Sequence, residues 1–282
     1  MATLPAVHNR DEYWRDNDPN RSNRIFDPDH PVLESLGVLY THYLSKPEFR
    51  AHYRDLLSGS DKSEKANDFS DILKTILVDN PPKVVIEKRG FDVGTYRRHI
   101  TNEKNTITLN GYLVEKAVWA KHNLNSAYPY FLFALETTIL HQLGHFVVTA
   151  AQSSSTPESC RFPELPYILQ KWGRHPNPDG FRGLRDHEAG FFVEKEFFGG
   201  FVMFERSKMD TADWVMRNVV IVQSDVIAFE IENSHIEAFQ DGRIPNLADL
   251  PSYGGNPTTT LMRGDQYGEV EGEITVEFDF AD

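Results

Sequence analysis

The hydrophobic rhythm of the chain changes twice. Apolar residues recur at steps of three and four over residues 32–79, give way to short continuous runs after Pro82, and return to the helical step over residues 128–152. The first region predicts three amphipathic helices. Leu33, Leu36, Leu39, Tyr40 and Tyr43 form one stripe before Pro47. Phe49, Tyr53, Leu56 and Leu57 form a second, ended by Gly59. Phe69, Ile72, Leu73, Ile76 and Leu77 form a third, ended by Asn80-Pro81-Pro82. Ser60 and Asp61 are N-cap candidates for the third helix, and Glu64 suits a capping box. Residues 84–86 and 106–109 read as short strands, and residues 112–121 as a short helix.

Residues 128–152 (YPYFLFALETTILHQLGHFVVTAAQ) are long enough for about six helical turns. Leu132, Leu135, Ile139, Leu143 and Phe146 recur on one side, while Leu140, Val147 and Val148 add apolar surface elsewhere. A helix this apolar is expected to be buried. One line of it is polar: Thr138, His141, His145 and Thr149, with Gln142 beside it. His141 and His145 therefore point the same way, one turn apart. Two imidazoles so placed can bind one Zn²⁺ at about 2.0–2.1 Å each. The plainer reading is a pair of core histidines satisfied by backbone carbonyls and the two threonine hydroxyls. Two buried imidazoles side by side are costly unless something binds them.

Downstream, residues 153–183 read as loop, with a short helix at 167–172. A second helix is expected at 186–198 (DHEAGFFVEKEFF), closed by Gly199-Gly200. Strands follow at 201–204 and 219–222; residues 226–231 fit either strand or helix. Residues 232–241 look helical up to Gly242, residues 245–268 are loop, and 273–280 (EITVEFDF) alternate as an edge strand or tail does. Residues 1–31 show little periodicity and read as an extended or disordered arm that Trp14, Ile25 and Phe26 could staple down. The expected organisation is an arm at 1–31, a helical segment at 32–82, and a metal-binding domain at 83–282.

Composition narrows the function. The chain has 282 residues, 40% hydrophobic and 12% aromatic, enough for a real core. Its net charge of −13, from 29 basic and 42 acidic residues, argues against nucleic acid or an anionic membrane as partner. The single cysteine, Cys160, excludes an internal disulfide and a cysteine-rich zinc site. The first twenty residues lack an apolar signal region, and no run of 18 apolar residues is present, so a cytoplasmic protein without a membrane span is expected.

HQLGH resembles the H-E-x-x-H signature of the zincin metallopeptidases, with Gln142 where that family has Glu. The string HEAGFFVEKEFFGG adds a likeness to a group of fungal zincin-like proteins of gluzincin type, in a Glu-Ala-Gly start, a second Glu and a closing Gly pair. Together the likeness covers about residues 130–205. It implies an α+β zincin-like domain, with a small mixed sheet beside the HQLGH helix and an N-terminal helical segment. It implies Zn²⁺ held by His141, His145 and Glu188, with Ala189-Gly190 letting the second helix approach the first. His175 and His187 rank below as ligands, and Glu194 and Glu196 are placed on other faces of their helix. Without the likeness, Glu188 reads as a helix-start carboxylate favoured by the dipole.

In the zincins the Glu of the signature is the general base, and an amide has no basic state with which to replace it. Three functions remain open. The first is a zinc-dependent metallopeptidase-like enzyme acting on a peptide, silenced at Gln142 whether by mutation or by nature. The second is a metal-dependent lyase, isomerase or cyclase acting on a small metabolite. The third is a non-enzymatic protein whose metal is structural or absent.

Overall fold

The computed structural model of the chain describes residues 4–10, 23–25, 27–57, 69–87, 94–96, 105–150, 189–207, 216–223, 227–254 and 259–262. Trp14, Phe26, Ser60, Asp61, Glu64, Cys160, His175, His187 and Glu188 lie outside the described residues, as do the helix expected at 167–172 and the strand expected at 273–280.

Two strands come from the stretch expected to be an arm, β1 (Val7–Arg10) and the two-residue β2 (Asn23–Arg24). Helix α1 (Pro31–Val38) opens with Pro31 in its first turn, and His30 Nδ1 accepts the Val32 N–H at 3.3 Å. A π-helical turn (Leu39–Leu44) continues it. Next come α2 (Pro47–Arg50) with a 3₁₀ segment (Ala51–Leu57), then α3 (Phe69–Lys74) with a second π-helical turn (Thr75–Asp79). All three expected stripes are helical, and each changes helix type partway along. Leu36, Leu39, Tyr40, Tyr43 and Leu44 are all at most 1% exposed.

The first sheet runs β2-β1-β3-β5-β4, with β3 (Lys83–Glu87), β4 (Gly94–Tyr96) and β5 (Thr106–Asn110). Its centre is parallel: Val7 pairs with Val84, and Val84 with Ile107. The edge strands β2 and β4 run antiparallel. Val84, Val85 and Ile86 are all buried, as expected for an interior strand read as a continuous apolar run. Asn110 ends β5 and also caps α4 (Gly111–His122) by accepting the Tyr112 N–H at 2.8 Å.

Helix α5 (Tyr128–Ala150) is the centre of the fold, and every residue from 131 to 144 is buried. It packs against α1, α4, the 3₁₀ segment, β4 and β5, then against α6 (Ala189–Phe198) and α7 (Asn233–Gln240). α5 is long and apolar enough to cross a membrane, but 94% of its most apolar window is buried in the protein. The second sheet is antiparallel, in the order β8-β7-β6-β9: β6 (Phe201–Ser207), β7 (Met216–Val222), β8 (Ala228–Ile231) and β9 (Thr259–Met262). Val219, Val220, Ile221 and Val222 of β7 are fully buried. Gly199 (φ +73°) and Gly242 (φ +84°) end α6 and α7 in left-handed backbone, where glycine costs least. The protein is thus a mixed α and β fold, with its sheets small and its helices dominant.

The tightest helix contact is between α5 and α6. A Cβ on Gly144 would lie 2.7 Å from the Ala189 carbonyl oxygen and 3.0 Å from Val193 Cγ2. Gly144→Ala should therefore destabilise the fold by about 1–3 kcal/mol through overpacking. A lowered urea midpoint with an unchanged slope is the expected result; an unchanged midpoint would mean the helices are free to part.

Candidate functional site

The polar line of α5 faces α6. His141 is 7% exposed and Gln142 5%; His145, one turn on, is half-buried. The rings of His141 and His145 lie with centroids 5.2 Å apart at 63°. Phe191 of α6 meets His141 edge-on at 5.5 Å, and Phe201 of β6 meets Phe191 at 5.1 Å. An aromatic wall thus shields one side of the histidine pair.

Glu194 is the residue that the sequence reading misplaced. Expected on another face of its helix, it is 4% exposed and turned toward α5. Its Oε1 lies 2.7 Å from His141 Nδ1, and its Oε2 accepts the Val202 N–H at 3.0 Å. The carboxylate is held at both oxygens, by a ring and by the first turn of strand after α6. The missed signal was a spacing. Gly190 and Glu194 are four apart, so a residue small enough for close approach and an acid share one helix face. Glu196, by contrast, is on the exposed side, its carboxylate 4.0 Å from His52 Nδ1.

Gly190 completes the arrangement. A Cβ there would sit 2.2 Å from both Cε1 and Nε2 of His141 and 2.3 Å from Cδ2. Bare backbone therefore packs on the Nε2 half of the ring, as the expected role of Ala189-Gly190 requires. Ala189 itself is fully buried, with its carbonyl against Gly144.

With Nδ1–H donated to Glu194, the neutral His141 ring carries its lone pair on Nε2. That is the tautomer a metal needs, and a carboxylate behind a ligating histidine is its usual support. Ring spacing agrees. A ligated imidazole centroid lies about 3 Å from the metal, so two rings at a near-tetrahedral angle should be roughly 5 Å apart. Among the described residues no group of three His, Cys, Asp or Glu is placed to hold a metal ion, and Glu188, the expected third ligand, lies outside them. A separate open groove of about 390 Å³ lies at the carboxyl ends of β1 and β3, between Asn9, His30, Ile86, Glu115 and Trp119. No residue of the histidine pair lines it.

Two glutamates on one helix should respond differently to removal. Glu194→Ala strands His141 Nδ1 and the Val202 N–H in the interior, an expected loss of about 2–5 kcal/mol. Glu196→Ala should change stability by less than about 0.5 kcal/mol. Urea unfolding of the two variants checks this, and equal losses would remove the assigned role of Glu194.

No protein-family model, curated protein or solved structure matches this chain.

Proposed function

We propose that the protein is a zinc-dependent enzyme of zincin type in which an amide, Gln142, stands at the place of the usual general base. The observation that carries this reading is the bond from His141 Nδ1 to a carboxylate pinned by Val202. It fixes the ring so that Nε2 is the ligating nitrogen. His141 and His145 would hold the ion, with Glu188 as the third ligand. Bound there, zinc supplies Lewis acidity toward a substrate carbonyl.

The chain's own residues do the rest. Glu194 orients His141 and offsets positive charge on the ring. Phe191 limits water on one side of the pair. Gln142 is 5% exposed and can give or take a hydrogen bond, but cannot accept a proton. The amide favours a second reading on the same site: a lyase, isomerase or cyclase on a small metabolite, where carbonyl polarisation suffices or a base comes from elsewhere. The domain is zincin-like in this proposal, its substrate a peptide or a small molecule, and its place the cytoplasm.

Metal analysis of protein purified without chelator should find about one zinc per chain, and His141→Ala should lose it. Glu188→Ala should weaken zinc binding at least about tenfold, and Glu194→Gln by roughly 10- to 100-fold, the range for residues behind a metal ligand. Zinc-free wild-type protein would end both enzymatic readings. Gln142→Glu separates them: new peptide or amide hydrolysis marks a silenced hydrolase, whereas metal binding without cleavage favours non-hydrolytic chemistry or a structural metal.

A further inference from the structure

A second acid on α5 has no role in the histidine site. Glu136 is 0% exposed, and among the described residues no hydrogen-bond partner reaches either carboxyl oxygen. The polar groups acting on it come from three elements. Glu34 projects from α1, Tyr43 from the π turn after α1, and Tyr128 from the first turn of α5. None has a proton to give. The Tyr43 hydroxyl donates to the Phe239 carbonyl of α7. The Tyr128 hydroxyl donates to Glu34 Oε2 at 2.7 Å, and the same oxygen takes Lys121 Nζ at 2.7 Å. Arg243 and Asp241, beyond α7, act on Tyr43 with opposite signs. No lysine or arginine among the described residues pairs with Glu136.

A lone carboxylate in this setting is among the costliest groups a core can hold, while a carboxylic acid carries its own proton and no charge. We propose that Glu136 is a proton-operated lock on the helical layer: as a neutral acid it lets α1 and its π turn close on α5, and as a carboxylate it forces them apart. Two observations support it: complete burial, and carboxyl oxygens that no donor among the described residues reaches, the Tyr43 and Tyr128 hydroxyls being committed elsewhere. Burial first, and the Glu34 charge second, push the Glu136 carboxyl well above its ordinary value.

The sign follows from linkage. The folded state keeps the proton to a higher pH than the unfolded chain does. Its contribution to stability is therefore complete below the ordinary carboxylate range, near 4.5, and is lost as pH rises toward the raised folded value. Within that window the unfolding constant gains about a factor of ten per pH unit from this one proton. Glu136→Gln keeps the shape and removes the titration.

The test is urea unfolding of wild type and Glu136→Gln from pH 5 to pH 9. The ratio of the wild-type to the variant unfolding constant should climb with pH at about tenfold per unit across the window. Parallel curves would overturn the proposal. Wild-type protein labelled with ¹³C at glutamate carboxyls gives a reading independent of the variant's folding. One carboxyl carbon should keep its acid-form shift to a higher pH than all the others; if every one titrates together in the ordinary carboxylate range, there is no lock.

Discussion

Helices α5 and α6 cross with Gly144 against the Ala189 carbonyl and Gly190 against the His141 ring, and the reach of Glu194 depends on that crossing. A glutamate side chain spans only a few ångströms. Were a methyl group at either glycine, the backbones would stand farther apart and the 2.7 Å bond to Nδ1 would lengthen past any useful strength. The bond is short because the helices are close, and they are close because two positions carry no side chain. The other oxygen of Glu194 reaches Val202, so the same carboxylate also ties the start of β6 to the helix pair. A local choice of glycine thereby sets the tautomer of a buried imidazole and anchors the second sheet.

Much of this was readable in advance, and the legible part is the part that periodicity controls. The long apolar helix, its polar line of His141 and His145, the helix ended by Gly199-Gly200 and the buried run at residues 219–222 all show the spacing their burial requires. The close approach at Ala189-Gly190 was expected only from the resemblance of the HEAGFFVEKEFFGG string, not from periodicity.

What stayed hidden has physical causes. A strand of four residues such as β1 (VHNR), with one apolar residue and polar sequence after it, carries too few apolar positions to announce itself. Its place in the sheet comes from pairing with Val84 and Ile86, which no local pattern encodes. The π turns after α1 and α3 stayed hidden because the stripe that suggests an ordinary helix looks the same. Glu194 was misplaced because its facing was judged against Glu188 and not against Gly190, one turn before it on the packed face. Glu136 drew no notice, since one acid in an apolar helix is overshadowed by two histidines.

The parallel core of the first sheet bears on how the molecule is made. Val7 finds Val84, and Val84 finds Ile107, only across long stretches of intervening chain. Contacts so distant in sequence are slow to form, because loop closure is opposed by chain entropy before any burial rewards it. During synthesis β1 emerges before β3, and until β3 follows it the only strand of its sheet that has been made is the two-residue β2. The helices between them can condense in the meantime, since their contacts are local. This protein should therefore assemble from its middle outward, with β1 among the later pieces to find its place.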